Sequence, residues 1–389
     1  MRPAIYLQKT KENTIRRGHP WIYPKAIKKT TGKLTTGELV DIFTTEGESL
    51  GVGAYNENSL YRVRVLAQTW ENIDSKSIDK LIQHRLTQAL LIRESLNLPN
   101  ENTNAYRLFN SEADGLSGLT IDRFNQITVV ASSAYWVEAN REVISSCINE
   151  RLPGEMIWIP QQKPLMQDGW RIIEEKNIMA STTVVEAGII FYVDFSQVQK
   201  TGLFLDQREN HQRIAALAKG KRVLDLYCYT GGFALHAAKA MASTVTAVDS
   251  SEQAILQAKH NARLNDVHNI EFVEADARDY LASAGNYDVV ILDPPKLVPS
   301  QQHLQRAKNY YRFLHRELFK AMQEGSLLMT CNCSAALSTQ DFTALVSSQA
   351  AAVGKQARVL GIFGPASCHP TLPAFPEGNY LTAVLIAVV

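Results

Sequence analysis

Residues 222–233, RVLDLYCYTGGF, constrain this chain more than any other stretch. Arg222 to Cys228 is an apolar run of strand length. Gly231 and Gly232 make a turn, and GGFALHAAKAMA begins a helix rich in Ala with Leu at helical spacing. A strand, a glycine turn and a helix open a nucleotide-binding α/β unit, in which missing side chains let the backbone approach a ligand. The G-x-G-x-x-G spacing of a dinucleotide site is absent, and Asp225 precedes the turn. A carboxylate there is unhelpful to a pyrophosphate but suits a positively charged ligand. Asp225, Tyr227, Thr230, Gly231, Gly232 and Phe233 are therefore candidates for ligand contact.

Three more strands end in the same manner. Thr244–Val248 runs into Asp249-Ser250, where an acid would accept hydrogen bonds from both hydroxyls of a ribose. Ile270–Glu274 leads to Asp276-Ala277, candidate adenine contacts. Tyr287–Leu292 ends in Asp293-Pro294-Pro295-Lys296. Four such strand ends in this order resemble the class I methyltransferase fold, with S-adenosyl-L-methionine as the cationic ligand.

A chain of 389 residues suits two or three domains rather than one core. MRPAIYLQKTKE has no apolar signal-peptide core, and the longest apolar run, 380–389, is too short to span a bilayer. No membrane association is expected. Five cysteines form no disulfide framework, which points to a reducing cytoplasm. Net charge is only +1, yet residues 1–66 hold eleven Lys and Arg against six acids. Such a basic module is how a phosphate-backbone footprint looks.

The first 70 residues read as short strands with glycines between them and little helix, a small β barrel. Within it Arg16, Arg17, His19 and Trp21 mix cations with aromatic rings, a combination that holds phosphates and stacks bases. An amphipathic helix at 75–95 opens an α+β region that closes with a hairpin at 183–195. Its segment 107–119, RLFNSEADGLSGL, suggests a tight loop, placed at an RNA cleft.

Two motifs lie at strand ends beside the glycine turn: Asp293-Pro-Pro-Lys and Thr330-Cys331-Asn332-Cys333-Ser334. Cytosine C5 is too weak a nucleophile to take a methyl group directly. A thiolate adding to C6 makes C5 enamine-like, and such chemistry needs a cysteine at a strand end with an acid near the base. Cys331 and Asp293 supply that pair, with Cys333 the second candidate; Lys296 is placed on the RNA. Cys-x-Cys without a second Cys/His pair does not make a zinc site.

Taken together the motifs resemble the RlmI-type methyltransferases, which form 5-methylcytosine in 23S ribosomal RNA. The resemblance rests on R-x-G-H-P-W-I-Y with the G-E-L-V-D-I-F strand, E-A-D-G-L-x-G-L, K-T-G-x-F-L-D-Q-R, V-L-D-L-Y-C-Y-T-G-G-F, D-P-P-K, T-C-N-C-S and a late His369-Pro370. It implies an α/β protein: a PUA-like β barrel (1–70), a small α+β middle domain (71–195) and a Rossmann-like methyltransferase domain (196–389). It places the nucleophile at Cys331, and Gln199, Lys200, Thr201, Phe204 and Arg208 near the cofactor or substrate. Large-subunit ribosomal RNA is the implied partner; a homodimer is a candidate assembly. Leu297, Asn332, Ala335 and Cys368 depart from the family pattern. Two other readings stay open: methylation of a base or protein amino nitrogen, and a PUA-anchored RNA-binding or ribosome-assembly factor without turnover.

Overall fold

Apolar strands alternate with helices through the second half of the chain, and this alternation dictates a parallel sheet covered on both faces. The computed structural model describes residues 2–171, 178–197, 203–297 and 303–389. The chain divides into two compact units, one of residues 1–182, 194–202 and 368–378, the other of 183–193, 203–367 and 379–389.

The second unit is built on seven strands: β1 (Arg222–Leu226), β2 (Thr244–Asp249), β3 (Ile270–Glu274), β4 (Val289–Leu292), β5 (Leu327–Asn332), β6 (Ala357–Phe363) and β7 (Thr382–Val388). Their order in the sheet is β3-β2-β1-β4-β5-β7-β6. The first five are parallel, and β7 runs antiparallel between β5 and β6. Five helices cover them: α1 (Arg208–Ala218), α2 (Gly232–Lys239), α3 (Glu252–Leu264), α4 (Leu304–Ala321) and α5 (Thr339–Ala351). Side chains alternate across β1. Val223 joins Ile214 of α1, Ala237 of α2 and Ile255 of α3 on one face. Leu224 and Leu226 join Leu314 and Leu318 of α4 and Phe342 of α5 on the other. The sheet reverses its order between β1 and β4, the place where open α/β sheets bind ligands.

The first unit holds two sheets. One has six strands in the order 21–22, 63–68, 49–55, 39–43, 4–7, 27–31; the other has four, in the order 155–160, 127–132, 119–124, 105–110. Two elements go beyond the sequence expectations, the helix Lys9–Arg16 and the edge strand Ile27–Thr31. Among the described residues, no helix is long and apolar enough to cross a membrane.

The E-A-D-G-L-S-G-L segment is the tight loop expected, and it is densely bonded. Glu112 accepts from Trp21 Nε1 at 3.1 Å and from the Ser117 hydroxyl at 2.7 Å. Asp114 receives both terminal nitrogens of Arg93 at 2.7 and 2.8 Å, with both side chains 1% exposed. Gly118 has φ +94°, and a Cβ there would stand 2.4 Å from the Ala134 methyl. Removing one member of a buried ion pair strands the other, at a cost of about 3–5 kcal/mol. Asp114→Ala is therefore expected to lower unfolding free energy by about that amount in urea titration, while a loss under ~1 kcal/mol would show that water reaches Arg93.

Candidate active site

The chain leaves β1 through three residues with left-handed backbone, Tyr227 (φ +65°), Tyr229 (φ +49°) and Gly231 (φ +91°). Such a conformation costs an L-residue about 1–2 kcal/mol, so the surroundings must impose it on the two tyrosines. Three contacts do so. Cys228 N–H donates to the Val248 carbonyl at 3.0 Å. Tyr229 N–H donates to Asp249 Oδ2 at 2.9 Å. The Tyr227 hydroxyl meets that of Tyr310 on α4 at 3.2 Å. Asp249 binds Ser251 N–H with its other oxygen at 2.9 Å, so each oxygen keeps one lone pair for a ligand.

Asp225 is fully buried on β1. Its Oδ2 accepts from Ala234 N–H at 3.0 Å at the start of α2, and its Oδ1 has no partner. Burial, with Asp293 and Asp249 nearby, pushes its carboxyl up to about 8. Asp293, at the end of β4, is pushed up to about 7 by loss of water and by Asp206. These carboxylates at one edge make a site that repels anions and suits a cation. The exposed ring of Tyr229 meets that of Phe204 edge-on at 5.2 Å, giving the turn an aromatic border.

Asp293 and Cys331 come together. Gln207 Nε2 donates to Asp293 Oδ2 at 2.9 Å, and the strand register pairs Leu292 with Thr330, so that Asp293 and Cys331 follow side by side. Cys331 is fully buried, and its thiol is pushed well up by burial and by Asp293. The strand ends at Asn332, so Cys333 leaves its register; it is half-buried, with Sγ 3.7 Å from the Pro294 carbonyl. α4 fixes the motif from below. Burial lowers His315 to about 4, leaving it neutral; it donates to the Tyr311 carbonyl and accepts from the Thr330 hydroxyl at 2.8 Å.

Of the remaining candidates, Thr230, Phe233 and Ala277 are buried, while Ser250 and Lys296 are exposed. Asp276 chelates Arg278, so its carboxylate is already engaged. Arg208 is buried, with Nη1 unpartnered. Gln199, Lys200 and Thr201 lie outside the described residues. In the first unit Arg16 pairs with Glu48 and Arg17 is exposed. His19 is buried, and Trp21 stacks on Tyr61 at 3.9 Å while donating to Glu112, so both are parts of the packing. Gln207 and Tyr310 escape sequence reasoning; Gln207 stands inside the K-T-G-L-F-L-D-Q-R block, whereas nothing local marks Tyr310.

Residues 170–358 match the S-adenosylmethionine-dependent methyltransferase family and residues 5–68 the PUA-like domain. The chain is 33% identical to ribosomal RNA large subunit methyltransferase I of Aeromonas hydrophila, over 99% of both chains. It is 33% identical to the protein of that name from Alteromonas mediterranea, over 100% of this chain and 99% of the other. Among solved structures, one assigned as a SAM-dependent methyltransferase from Streptococcus mutans superposes with TM-score 0.80 at 20% identity, covering 99% of each chain. A methyltransferase complexed with S-adenosylhomocysteine gives TM-score 0.82 at 19% identity, also over 99% of each. These structures share the fold. Asp225, with its unpartnered oxygen, and Asp249, with a lone pair free on each oxygen, fit a cationic nucleoside cofactor, and the full-length sequence identity supplies the rest: the chain belongs to the ribosomal RNA large subunit methyltransferase I family and is an S-adenosylmethionine-dependent methyltransferase.

Proposed function

We propose that this protein methylates C5 of a cytosine in large-subunit ribosomal RNA through a cysteine adduct. The observation that carries the reading is the strand register that sets Cys331 beside Asp293, a carboxyl pushed up to about 7 by loss of water and by Asp206. S-adenosylmethionine, when bound, supplies an electrophilic methyl group. Asp225, Tyr227, Thr230, Gly231, Gly232 and Phe233 would line its methionine side, Asp249 and Ser250 its ribose, Asp276 and Ala277 its adenine, with Arg208, Gln199, Lys200 and Thr201 closing the site.

The chain's own groups then act in sequence. Asp293 takes the proton of Cys331, and the thiolate adds to C6 of a cytosine extruded into the site. C5 gains the methyl group. A base next removes the C5 proton, the C5–C6 double bond re-forms, and the carbon–sulfur bond breaks to release the thiolate. Burial of Cys331 protects the thiol until the target base enters. A second assignment has one observation in its favour: Cys333 is the more accessible thiol, and it sits beside Pro294 of the D-P-P-K motif.

RNA contact falls to the basic module, with Arg16, Arg17 and Lys296 as further cations and His19 and Trp21 shaping the surface. Lys25, Lys28 and Lys33 are exposed and make no ion pair among the described residues. We assign binding to residues 1–70, the support sheet to 71–195 and chemistry to 196–389, in a cytoplasmic enzyme that works as a homodimer.

Three outcomes are expected. RNA containing 5-fluorocytosine cannot lose a C5 proton, so it traps the thioether with wild type; Cys331→Ala should form no adduct yet bind cofactor and RNA. Adduct retained by Cys331→Ala and lost in Cys333→Ala reverses the assignment, and none with wild type ends the cysteine mechanism.

A cation beside Asp225 favours its ionised form, so binding expels a proton wherever the free enzyme still holds one. Cofactor affinity should therefore rise with pH and level off near 8, with proton release visible by calorimetry in buffers of different ionisation heat. A flat profile would take Asp225 out of the site.

Replacing Lys25, Lys28 and Lys33 together by Ala should flatten the slope of log affinity against log salt by about 2 to 3 units. An unchanged slope would move the phosphate contacts elsewhere.

A further inference from the structure

Behind the glycine turn lies a buried cluster of Glu186, His211 and His236, whose ligand atoms lie within 4.8 Å of one another. The histidine contacts close it against a metal ion. His236 Nδ1 lies 2.8 Å from the Gly232 carbonyl and its Nε2 3.2 Å from the Glu186 carbonyl, so neither nitrogen turns a lone pair to an open position. Burial, with His211 close by, pushes His236 down to about 4, so one ring proton is present; the shorter contact assigns it to Nδ1.

All these contacts converge on one residue. The Gly232 carbonyl receives His236. Where a side chain of Gly232 would begin, the His211 ring stands instead, 2.6 Å from the position of a Cβ. His211 Nδ1 is held by Glu186 Oε1 at 2.8 Å, and its ring packs edge-on against Phe233 at 4.5 Å. Glu186 belongs to the hairpin of strands Ser181–Glu186 and Ile189–Asp194. The same hairpin reaches the turn a second time. Asn261 of α3 accepts from Tyr192 N–H at 3.0 Å and donates to the Thr230 carbonyl at 3.1 Å.

We propose that Glu186 is a positioning residue for the cofactor: through His211 it fixes Gly232 and thereby sets cofactor affinity from behind the binding surface. The proposal rests on the reading that the turn at 229–233 holds S-adenosylmethionine. Glu186 touches no ligand in this arrangement. Its carboxylate orients the His211 ring, which fills the space beside the Gly232 Cα, while His236 holds the Gly232 carbonyl from the other side. Without it His211 is free to tilt off the turn.

The test uses full-length protein and calorimetry with S-adenosylhomocysteine, alongside melting temperature and RNA affinity. Glu186→Ala should weaken nucleoside binding about tenfold, the scale of one lost charge-assisted hydrogen bond. Glu186→Gln, which keeps the acceptor for His211, should recover affinity to within about threefold of wild type. RNA affinity should not move, which separates positioning from general loss of structure. Asp249→Ala tests the underlying reading separately: if it binds like wild type, the cofactor lies elsewhere. If Asp249→Ala weakens binding while a folded Glu186→Ala stays within twofold of wild type, the positioning role is overturned. Should Glu186→Ala fail to fold, the pair Gly232→Ala and His211→Ala/Gly232→Ala decides. The added methyl collides with His211, so the double variant should bind more tightly than Gly232→Ala alone; equal or weaker binding overturns the proposal.

Discussion

The strained turn after β1 depends on a carboxylate that has nowhere else to go. Asp225 is fully buried and satisfied on one oxygen only, by the amide that opens α2. Around it the backbone turns left-handed three times in five residues. A buried oxygen without a partner is costly, and the hydrophobic layers on both faces of the sheet carry that cost.

The turn is held from four elements of the second unit, α2 among them. Asp249 holds Tyr229, Tyr310 holds Tyr227, Asn261 holds Thr230 and His236 holds Gly232. Each contact is a single hydrogen bond, worth about 1 kcal/mol net. Together they match the conformational penalty of the turn, because the strand and helices that present them are already ordered by packing. Opposite them, Gln207 ties the strand-end acid Asp293 to the segment that precedes α1.

The strand ends were legible in the sequence because each parallel strand is an apolar run that stops at a polar residue, and the acid is read directly from that stop. Asp249 and Asp293 announce themselves so, whereas Asp225 is the lone acid inside the run that leads to the glycine turn. The support behind the turn is invisible at that level: Glu186 and His211 lie far from Gly232 in sequence, and only folding shows that a ring fills the space a side chain would occupy. The helix Lys9–Arg16 buries only Glu12 and Ile15, and the strand Ile27–Thr31 exposes four of its five residues, so neither shows an apolar period. The E-A-D-G-L segment is legible as a tight loop. What its acids and glycines serve there, Arg93, Trp21 and close packing, is not.

The first unit takes residues 368–378 from late in the chain, and Arg93, at its centre, donates to the Cys368 carbonyl at 2.7 Å. Synthesis delivers Arg93 long before it delivers that acceptor. A nascent chain with the first sheets formed therefore holds Arg93 on Asp114 and the Arg107 carbonyl alone, and its bond to Cys368 forms only after residues 203–367 of the second unit have been made.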